Sequence, residues 1–216
     1  MDTVLNLWKK DLGTVPATVW EQTSLTTLIL ADNKLTAISE QLGQLSDLRT
    51  LDLGHNQLAE LPKALGDLAS LSDFLYLHDN LLTTLPSSIE RLHKLRYLNI
   101  SENSFSVFPA SICSLSGLVE LRIADNQLSA LPDSIARLTR LRELHLRNNK
   151  LKTLPSTIAS LTELRHIDLR GNPLESLPPS IAELPKLEKL DLRWVNFLQT
   201  PEWLETLEAR GCLVYR

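Results

Sequence analysis

The sequence predicts an α/β solenoid: a right-handed horseshoe of short repeats, with a parallel β-sheet on the concave side and short helical or 3-10 segments on the convex side. Three observations predict it. Leucines at the spacing Leu-x-x-Leu-x-Leu recur along nearly the whole chain. An asparagine follows most copies, at intervals of 23 residues except for one of 24: Asn33, Asn56, Asn80, Asn103, Asn126, Asn149 and Asn172. A proline follows all but the first asparagine by six residues: Pro62, Pro86, Pro109, Pro132, Pro155 and Pro178. Such fixed periods are typical of solenoids.

Each Leu-x-Leu segment is predicted to form a short β-strand. The alternation directs Leu144 and Leu146 to one face of the sheet and His145, between them, to the other. One strand cannot bury its leucines alone, so the repeats must stack, and at least three are needed for a stable array. We therefore expect a continuous parallel sheet with a leucine core behind it.

The Pro-x-x-Ile-x-x-Leu segment that follows each strand predicts the convex side. In one copy it consists of Pro155, Ile158 and Leu161. Spacing of i, i+3 suits a helical or 3-10 turn, and proline is tolerated in a first turn because no N–H is required there. Because helical segments are wider than strands, the stack should curve with the sheet inside.

The recurring asparagines are interpreted as structural residues. Each one falls where the chain leaves a strand, and its amide can both donate and accept hydrogen bonds. It can therefore satisfy backbone groups that the turn leaves unpaired inside the stack. No binding role is assigned to them.

These residues resemble the leucine-rich-repeat family, in its typical 23-residue class, which includes Ras-group-related and bacterial intracellular proteins. The resemblance covers residues 1–216 as a single domain, with about nine repeats in 1–207 and a closing strand in 208–216. It implies protein recognition, and members act as scaffolds, signalling adaptors, immune receptors and bacterial effectors. The solenoid alone does not identify the partner.

The ends of the array and one insertion depart from the repeat. The 24-residue interval adds a residue near Asp73, either as a bulge that re-aims side chains or as a tolerated insertion. At the amino end, Trp8 and Trp20 are expected to shield the first strand or to pack on another subunit, which predicts a monomer or a weak end-to-end dimer through this edge. The aromatic residues expected to close the carboxyl end are Trp194, Phe197, Trp203 and Tyr215.

Composition narrows the classes of function. The chain has 22 basic and 26 acidic residues and a formal net charge of −4, which does not favour nucleic acid. Its two cysteines, Cys113 and Cys212, are far apart and predict neither a disulfide framework nor a zinc site. No signal peptide and no membrane-spanning stretch is expected, so the chain is predicted to be cytoplasmic, or delivered into a host cell if it is a bacterial effector.

Residues beside the strand leucines should form the binding surface on the concave face. Aromatic residues lie in the middle of that face, and arginines form a column toward its carboxyl-terminal third; both types are common in protein interfaces. The alternative is that the aromatic rings merely cover the sheet and the arginines pair with neighbouring carboxylates. The predicted partner-binding residues are Phe74, Tyr76, His78, Tyr97, Arg122, Arg147, Arg170 and Arg193.

Two other functions compete with protein binding. A hydrolase or metal site could form where Glu143, His145, His166 and Asp168 meet, since a histidine beside a carboxylate can act as a base or ligand. The open face, without a cavity or nearby nucleophile, argues against an enzyme, so no catalytic residue, metal or cofactor is predicted. Phosphate or RNA could bind the arginine column, but Asp168 and Asp191 beside it would repel phosphates. A bacterial effector's substrate-recognition domain is a variant of the protein-binding prediction.

Overall fold

The computed structural model describes residues 3–195 and 201–216 and contains one ten-stranded, all-parallel sheet. The strands follow one another in chain order, so every neighbour in the sheet is also a neighbour in sequence. They are β1 (Val4–Asn6), β2 (Thr27–Ile29), β3 (Thr50–Asp52), β4 (Phe74–Tyr76), β5 (Tyr97–Asn99), β6 (Glu120–Arg122), β7 (Glu143–His145), β8 (His166–Asp168), β9 (Lys189–Asp191) and β10 (Leu213–Tyr215). This is the predicted solenoid, including its closing strand.

Short helices form the convex side, as predicted. Most begin directly after the recurring proline, whose extended backbone leads into the first turn, as at Pro155 with φ −68°. The 3-10 helices are Ala17–Val19, Glu40–Gln44, Lys63–Asp67, Ser87–Arg91, Ala110–Ser114, Asp133–Arg137, Ser156–Ser160 and Pro179–Glu183. The last outer segment is instead an α-helix, α1 (Trp203–Ala209).

The core is a stack of leucine layers between the sheet and the outer helices. Leu144 in β7 and Leu146 behind it are completely buried, as is Ile158 from the facing 3-10 helix. Phe105 takes the place of the leucine after Asn103 and is also completely buried. Burying each such side chain contributes roughly 1.5–3 kcal/mol, so the layers supply the main favourable term for folding.

The asparagines form a hydrogen-bonded ladder inside the turns, which confirms their structural interpretation. The Asn126 side-chain amide donates to the carbonyls of Ile100 and Ala124 at 3.0 Å each, and its Oδ1 accepts from the Phe105 N–H at 3.0 Å. Asn33, Asn56, Asn80, Asn149 and Asn172 repeat the pattern of bonds to the preceding repeat.

The residue before each asparagine carries the turn. It adopts a left-handed backbone in successive repeats, for example Asp125 at φ 53°. Asp and Asn tolerate this region better than most side chains, and Gly171, at φ 67°, fills the same position at no steric cost. Two residues of each repeat therefore specify the turn: the asparagine and the residue before it.

The extra residue near Asp73 is accommodated ahead of β4. Phe74 pairs in register with Thr50 on one side and Tyr97 on the other, so the insertion does not shift the strand. The N–H groups of Ser72 and Asp73 both point to the carbonyl of Arg49. Of the two interpretations, the tolerated insertion is the one that the register supports.

The carboxyl end is closed differently from the prediction. Trp194 is 69% exposed and Tyr215 is 40% exposed, so neither covers the core. Leu204 and Leu207 of α1 are completely buried and take that role, because the helix turns its apolar face toward the last leucine layer. Trp203 packs partly against the same core, as predicted, and Phe197 lies outside the described residues.

The amino end also differs in part. Trp20 is buried, whereas Trp8 is 56% exposed and shields little. The weak end-to-end dimer through this edge stays a prediction. No helix in residues 3–195 and 201–216 is long and apolar enough to cross a membrane.

Candidate functional site

The strand register places the predicted concave-face residues in rows. Phe74 and Tyr97 are direct partners in one row, at the start of β4 and β5. Tyr76 and Arg122 lie in the next row, separated by Asn99. Because each leucine points into the core, the residues that flank it must point away from it. We call Phe74, Tyr76, His78 and Tyr97 the aromatic patch.

The rings of the aromatic patch contact one another. The Phe74 and Tyr76 centroids are 5.7 Å apart with nearly parallel planes, and the Tyr76 and Tyr97 centroids are 5.0 Å apart. The Phe74 and Tyr97 centroids are 5.4 Å apart. Mutual packing restrains the rings, while Phe74 remains 42% exposed. The structure therefore brings together the four aromatic residues that the sequence placed side by side.

His78 joins the patch at one edge and is held by the turn residues below it. Its Nε2 lies 3.2 Å from Nε2 of His55, whose Nδ1 is 2.7 Å from the Asp79 carboxylate. Gly54 makes room for the ring, because a Cβ there would lie 2.5 Å from His78 Cε1. Burial, and then the charge of His55, lower the pKa of His78, so it is neutral at pH 7.

One ring nitrogen of His78 is left unsatisfied inside the described structure. Its Nδ1 is buried and has no hydrogen-bond partner within the described part of the chain. The Asp79 carboxylate accepts from His55 Nδ1, and the Nε2 atoms of His55 and His78 share one hydrogen bond. The unpaired nitrogen costs free energy, and because it is buried a ligand on the surface does not reach it.

The tyrosine hydroxyls are neutral donors at physiological pH. Burial raises the pKa of Tyr97 to about 12, against a smaller opposing effect of the Arg122 charge. Burial likewise raises the pKa of Tyr76. The Arg122 guanidinium lies 5.9 Å from the Tyr97 ring centroid, a cation–π distance, and hydrogen bonds to Glu120 at 2.5 Å. Arg122 is therefore the predicted arginine that touches the patch.

The remaining predicted arginines form a separate column whose charges are balanced within the chain. Arg147 pairs with Asp125 at 2.8 Å. Arg170 makes two hydrogen bonds to Asp168, at 2.9 and 2.6 Å. Paired guanidinium groups offer a partner much less net charge than free ones, because a ligand must compete with the aspartates.

Arg193, in the same column, is paired with a buried carboxylate. It binds Asp191 through two nitrogens, at 2.9 and 2.7 Å, and Asp191 is 1% exposed. Burial of Asp191 opposes its ionisation, but the Arg193 hydrogen bonds and the Arg170 and Arg193 charges outweigh this and lower its pKa. Arg170 and Arg193 also lie 5.9 Å from the Trp194 ring, which the sequence predicted to help close the carboxyl end.

The predicted histidine–carboxylate cluster forms, but Glu120 takes the place of Asp168. His145 lies 3.1 Å from Glu143 and 3.7 Å from Glu120, and ligand atoms of these three residues lie within 4.8 Å of one another. His166 approaches Glu143 at 3.7 Å. Asp168, which was expected here, is bound by Arg170 instead.

Histidine and carboxylate side chains are ligand types that suit a divalent metal. Here, however, Glu120 is hydrogen bonded to Arg122, and Glu143 is hydrogen bonded to His145. Arg122 donates to Glu120 at 2.5 Å and sets a positive charge against one of the carboxylates that would ligate. Burial first, then Arg122, lower the pKa of His145, so its imidazole is neutral and hydrogen bonds to Glu143. The arrangement acts as a charged network beside the aromatic patch.

Four basic residues outside the concave rows lie just before strands β5 and β7. Lys94, Arg96, Arg140 and Arg142 line one cleft of about 610 Å³. Sequence reasoning missed them because it followed only the residues within and after the strands. The signal was present, since each basic pair flanks a leucine immediately before a strand.

The family model for the leucine-rich repeat matches residues 23–82, 73–128, 116–174 and 139–197. No curated protein matches the chain. A leucine-rich-repeat protein of Leptospira interrogans is similar in structure, with a TM-score of 0.76 and 27% identity over 95% of this chain and 64% of that protein.

Two plant receptors are similar as well. The ectodomain of the Arabidopsis thaliana membrane receptor kinase GASSHO1/SCHENGEN3, solved in complex with CASPARIAN STRIP INTEGRITY FACTOR 2, has a TM-score of 0.83 and 30% identity over 99% of this chain and 26% of its own. The plant peptide hormone receptor RGFR1, solved in complex with RGF2, has a TM-score of 0.71 and 25% identity over 93% and 41%. The chain thus spans less than two thirds of each of these proteins.

The family match agrees with the fold. The matched segments run from residue 23 to residue 197, and the similar structures are repeats of the same kind. Proteins of this family and fold are generally interaction modules and not enzymes. The protein belongs to the leucine-rich-repeat family.

Proposed function

We propose that the chain binds a protein or peptide through the aromatic patch on its concave face. The observation that carries the proposal is the contact among Phe74, Tyr76 and Tyr97, three rings whose centroids are 5.0 to 5.7 Å apart on the concave, solvent-facing side of the sheet. Clustered aromatic side chains that remain accessible are typical of the centre of protein interfaces.

The surroundings of the patch suit a partner with an apolar side chain and a hydrogen-bond acceptor. A hollow of about 330 Å³ is lined by Phe74, Tyr97 and Val119, which gives an apolar group a place to insert. The Tyr97 hydroxyl stays protonated and can donate a hydrogen bond. Such a mixture of an apolar anchor and a few polar contacts is how most interfaces combine affinity with specificity.

The similar plant receptors add support from their own complexes. GASSHO1/SCHENGEN3 was solved with CASPARIAN STRIP INTEGRITY FACTOR 2 and RGFR1 with RGF2. Peptide or protein recognition is therefore compatible with this fold, although this chain covers only a part of either receptor. We propose a role as a scaffold or recognition domain, without catalysis.

The test changes Tyr76 and Tyr97 to alanine together. A partner is first captured with the wild-type chain, and its Kd for each purified variant is measured by calorimetry. We expect the double variant to bind at least tenfold more weakly, because each buried aromatic anchor contributes on the order of 1–2 kcal/mol. Circular dichroism should show an unchanged melting transition, since neither ring lies in the leucine core.

A matched control removes two exposed apolar side chains elsewhere. Leu81 is 56% exposed and Val107 is 75% exposed, and neither lies in the concave rows. The Leu81→Ala/Val107→Ala variant should bind the partner as tightly as wild type. Unchanged affinity in the tyrosine variant, or an equal loss in this control, would remove the aromatic patch from the binding site.

A further inference from the structure

A basic surface feature lies at the edge where the chain enters the strands. Lys94 and Arg96 precede β5 and line one side of the 610 Å³ cleft, while Arg140 and Arg142 precede β7 and line the other. All four side chains are exposed. We call these four residues and the space between them the basic cleft.

The repeat that separates the two basic pairs carries small residues. Gly117 and Val119 occupy the corresponding positions before β6 and line the same cleft. A Cβ on Gly117 would lie 2.5 Å from the His93 carbonyl oxygen, so any side chain larger than that of glycine would clash there. Since neighbouring strands are about 4.8 Å apart, the two basic pairs stand roughly 10 Å apart with a gap between them.

The four cations lack partners of their own. None of them lies within 4.0 Å of a carboxylate oxygen in residues 3–195 or 201–216, although most cations of the concave face do. Glu163 is the one carboxylate among the residues lining the cleft, and Lys186 already binds it at 2.5 Å. The hydrogen bond from Lys186, together with the charges of Arg142 and Arg165, lowers the pKa of Glu163.

This concentration of positive charge is unexpected in a chain with a net charge of −4. Four like charges around one cleft repel one another, and an anion placed between them relieves that repulsion. Arginine and lysine also provide several N–H donors each for carboxylate or phosphate oxygens. The cleft thus has the charge, the donors and the space for an anionic group.

The basic cleft is continuous with the aromatic patch. Arg96 and Val119 line both the cleft and the apolar hollow that Phe74 and Tyr97 border. A ligand that inserts an apolar side chain into the hollow can therefore extend over Arg96 into the cleft. On the concave side the neighbours are acidic, because Glu120 and Glu143 follow directly in β6 and β7.

We propose that the basic cleft binds an acidic segment of the same protein partner that the aromatic patch holds, with Arg96 and Arg142 as its principal contacts. The inference rests on the proposed function. The acidic segment, rich in Asp or Glu, leaves the apolar hollow and runs across the strand entrance between the two basic pairs. Nucleic acid is the less favoured ligand, because its continuous phosphates would also meet Asp73 and Glu120 beside the hollow.

The experiment uses a probe that needs no knowledge of the partner. A fluorescein-labelled peptide of ten glutamates is titrated with the full chain at low ionic strength, and anisotropy gives its Kd. Replacing Arg96 and Arg142 with glutamine should weaken binding on the order of tenfold, because two exposed ion pairs are lost. Raising the salt concentration should weaken wild-type binding as well.

The control removes the same amount of charge elsewhere. Lys63 and Lys150 are exposed and lie outside the basic cleft, so Lys63→Gln/Lys150→Gln changes the net charge equally. It should retain wild-type affinity. An equal loss in this control would overturn the proposal, since it would show attraction to overall charge only. Failure of the wild-type chain to bind the peptide would overturn it too.

Two further arms separate the alternatives. A ten-nucleotide RNA that binds more tightly than the glutamate peptide, and loses affinity with Arg96→Gln/Arg142→Gln, would assign the cleft to nucleic acid and overturn the proposal. Tyr76→Ala/Tyr97→Ala should leave glutamate-peptide binding unchanged while weakening the captured partner. The two proposals can thus fail independently.

Discussion

At the scale of single residues, the recurring asparagine stabilises the turn of its repeat through buried hydrogen bonds. Asn126 is 7% exposed and bonds to both the preceding repeat and its own turn. Its role was predictable from the sequence, because a polar residue that recurs among buried leucines must be hydrogen bonded. The pairing of Arg170 with Asp168 agrees with the alternative in which the arginines pair with neighbouring carboxylates, but which carboxylate an arginine takes depends on side-chain rotamers and was not predictable.

Replacing Asn126 with alanine should lower the free energy of unfolding by about 3 kcal/mol, because the change leaves buried backbone groups without partners. Urea denaturation followed by circular dichroism measures the loss. Gln127→Ala is the matched control, since Gln127 is its exposed neighbour, and it should change stability by less than about 0.5 kcal/mol. If Asn126→Ala were as stable as this control, the ladder would not be a source of stability.

At the scale of elements, the leucine and proline spacing predicted the strands and the outer helices, since both follow from periodicity. The closure of the carboxyl end was predicted less well. Bulky aromatic residues were expected to cover the last layer, but Trp194 lies on the surface against Arg170 and Arg193. The apolar face of α1 supplies the cover instead, through Leu204 and Leu207.

Leu204→Ala should destabilise the carboxyl-terminal repeats by about 3 kcal/mol, the usual cost of a cavity at a completely buried leucine. Solenoid repeats contact only their neighbours, so the effect should be local. Hydrogen exchange should accelerate in β9 and β10 and remain nearly unchanged in β2 and β3. A uniform acceleration along the chain would contradict the assignment of α1 as a cap.

At the scale of the whole molecule, the repeat determines which residues share a surface. Aligning the copies placed Phe74, Tyr76 and Tyr97 side by side without a structure, because parallel strands in register keep equivalent positions adjacent. The same alignment, extended one residue upstream of each strand, would have found Arg96 and Arg142. The geometry of the hollow, by contrast, depends on how the rings tilt, which the sequence does not encode in a readable pattern.

Protein recognition by this solenoid rests on the aromatic patch, and the most direct measurement is the footprint of a bound partner on the backbone. Amide chemical shifts of the 15N-labelled chain are followed as the captured partner is added. The account predicts the largest changes at Phe74, Tyr76 and Tyr97, with little change in the convex helix Ser156–Ser160. Changes confined to the convex helices, with the aromatic patch unaffected, would contradict it.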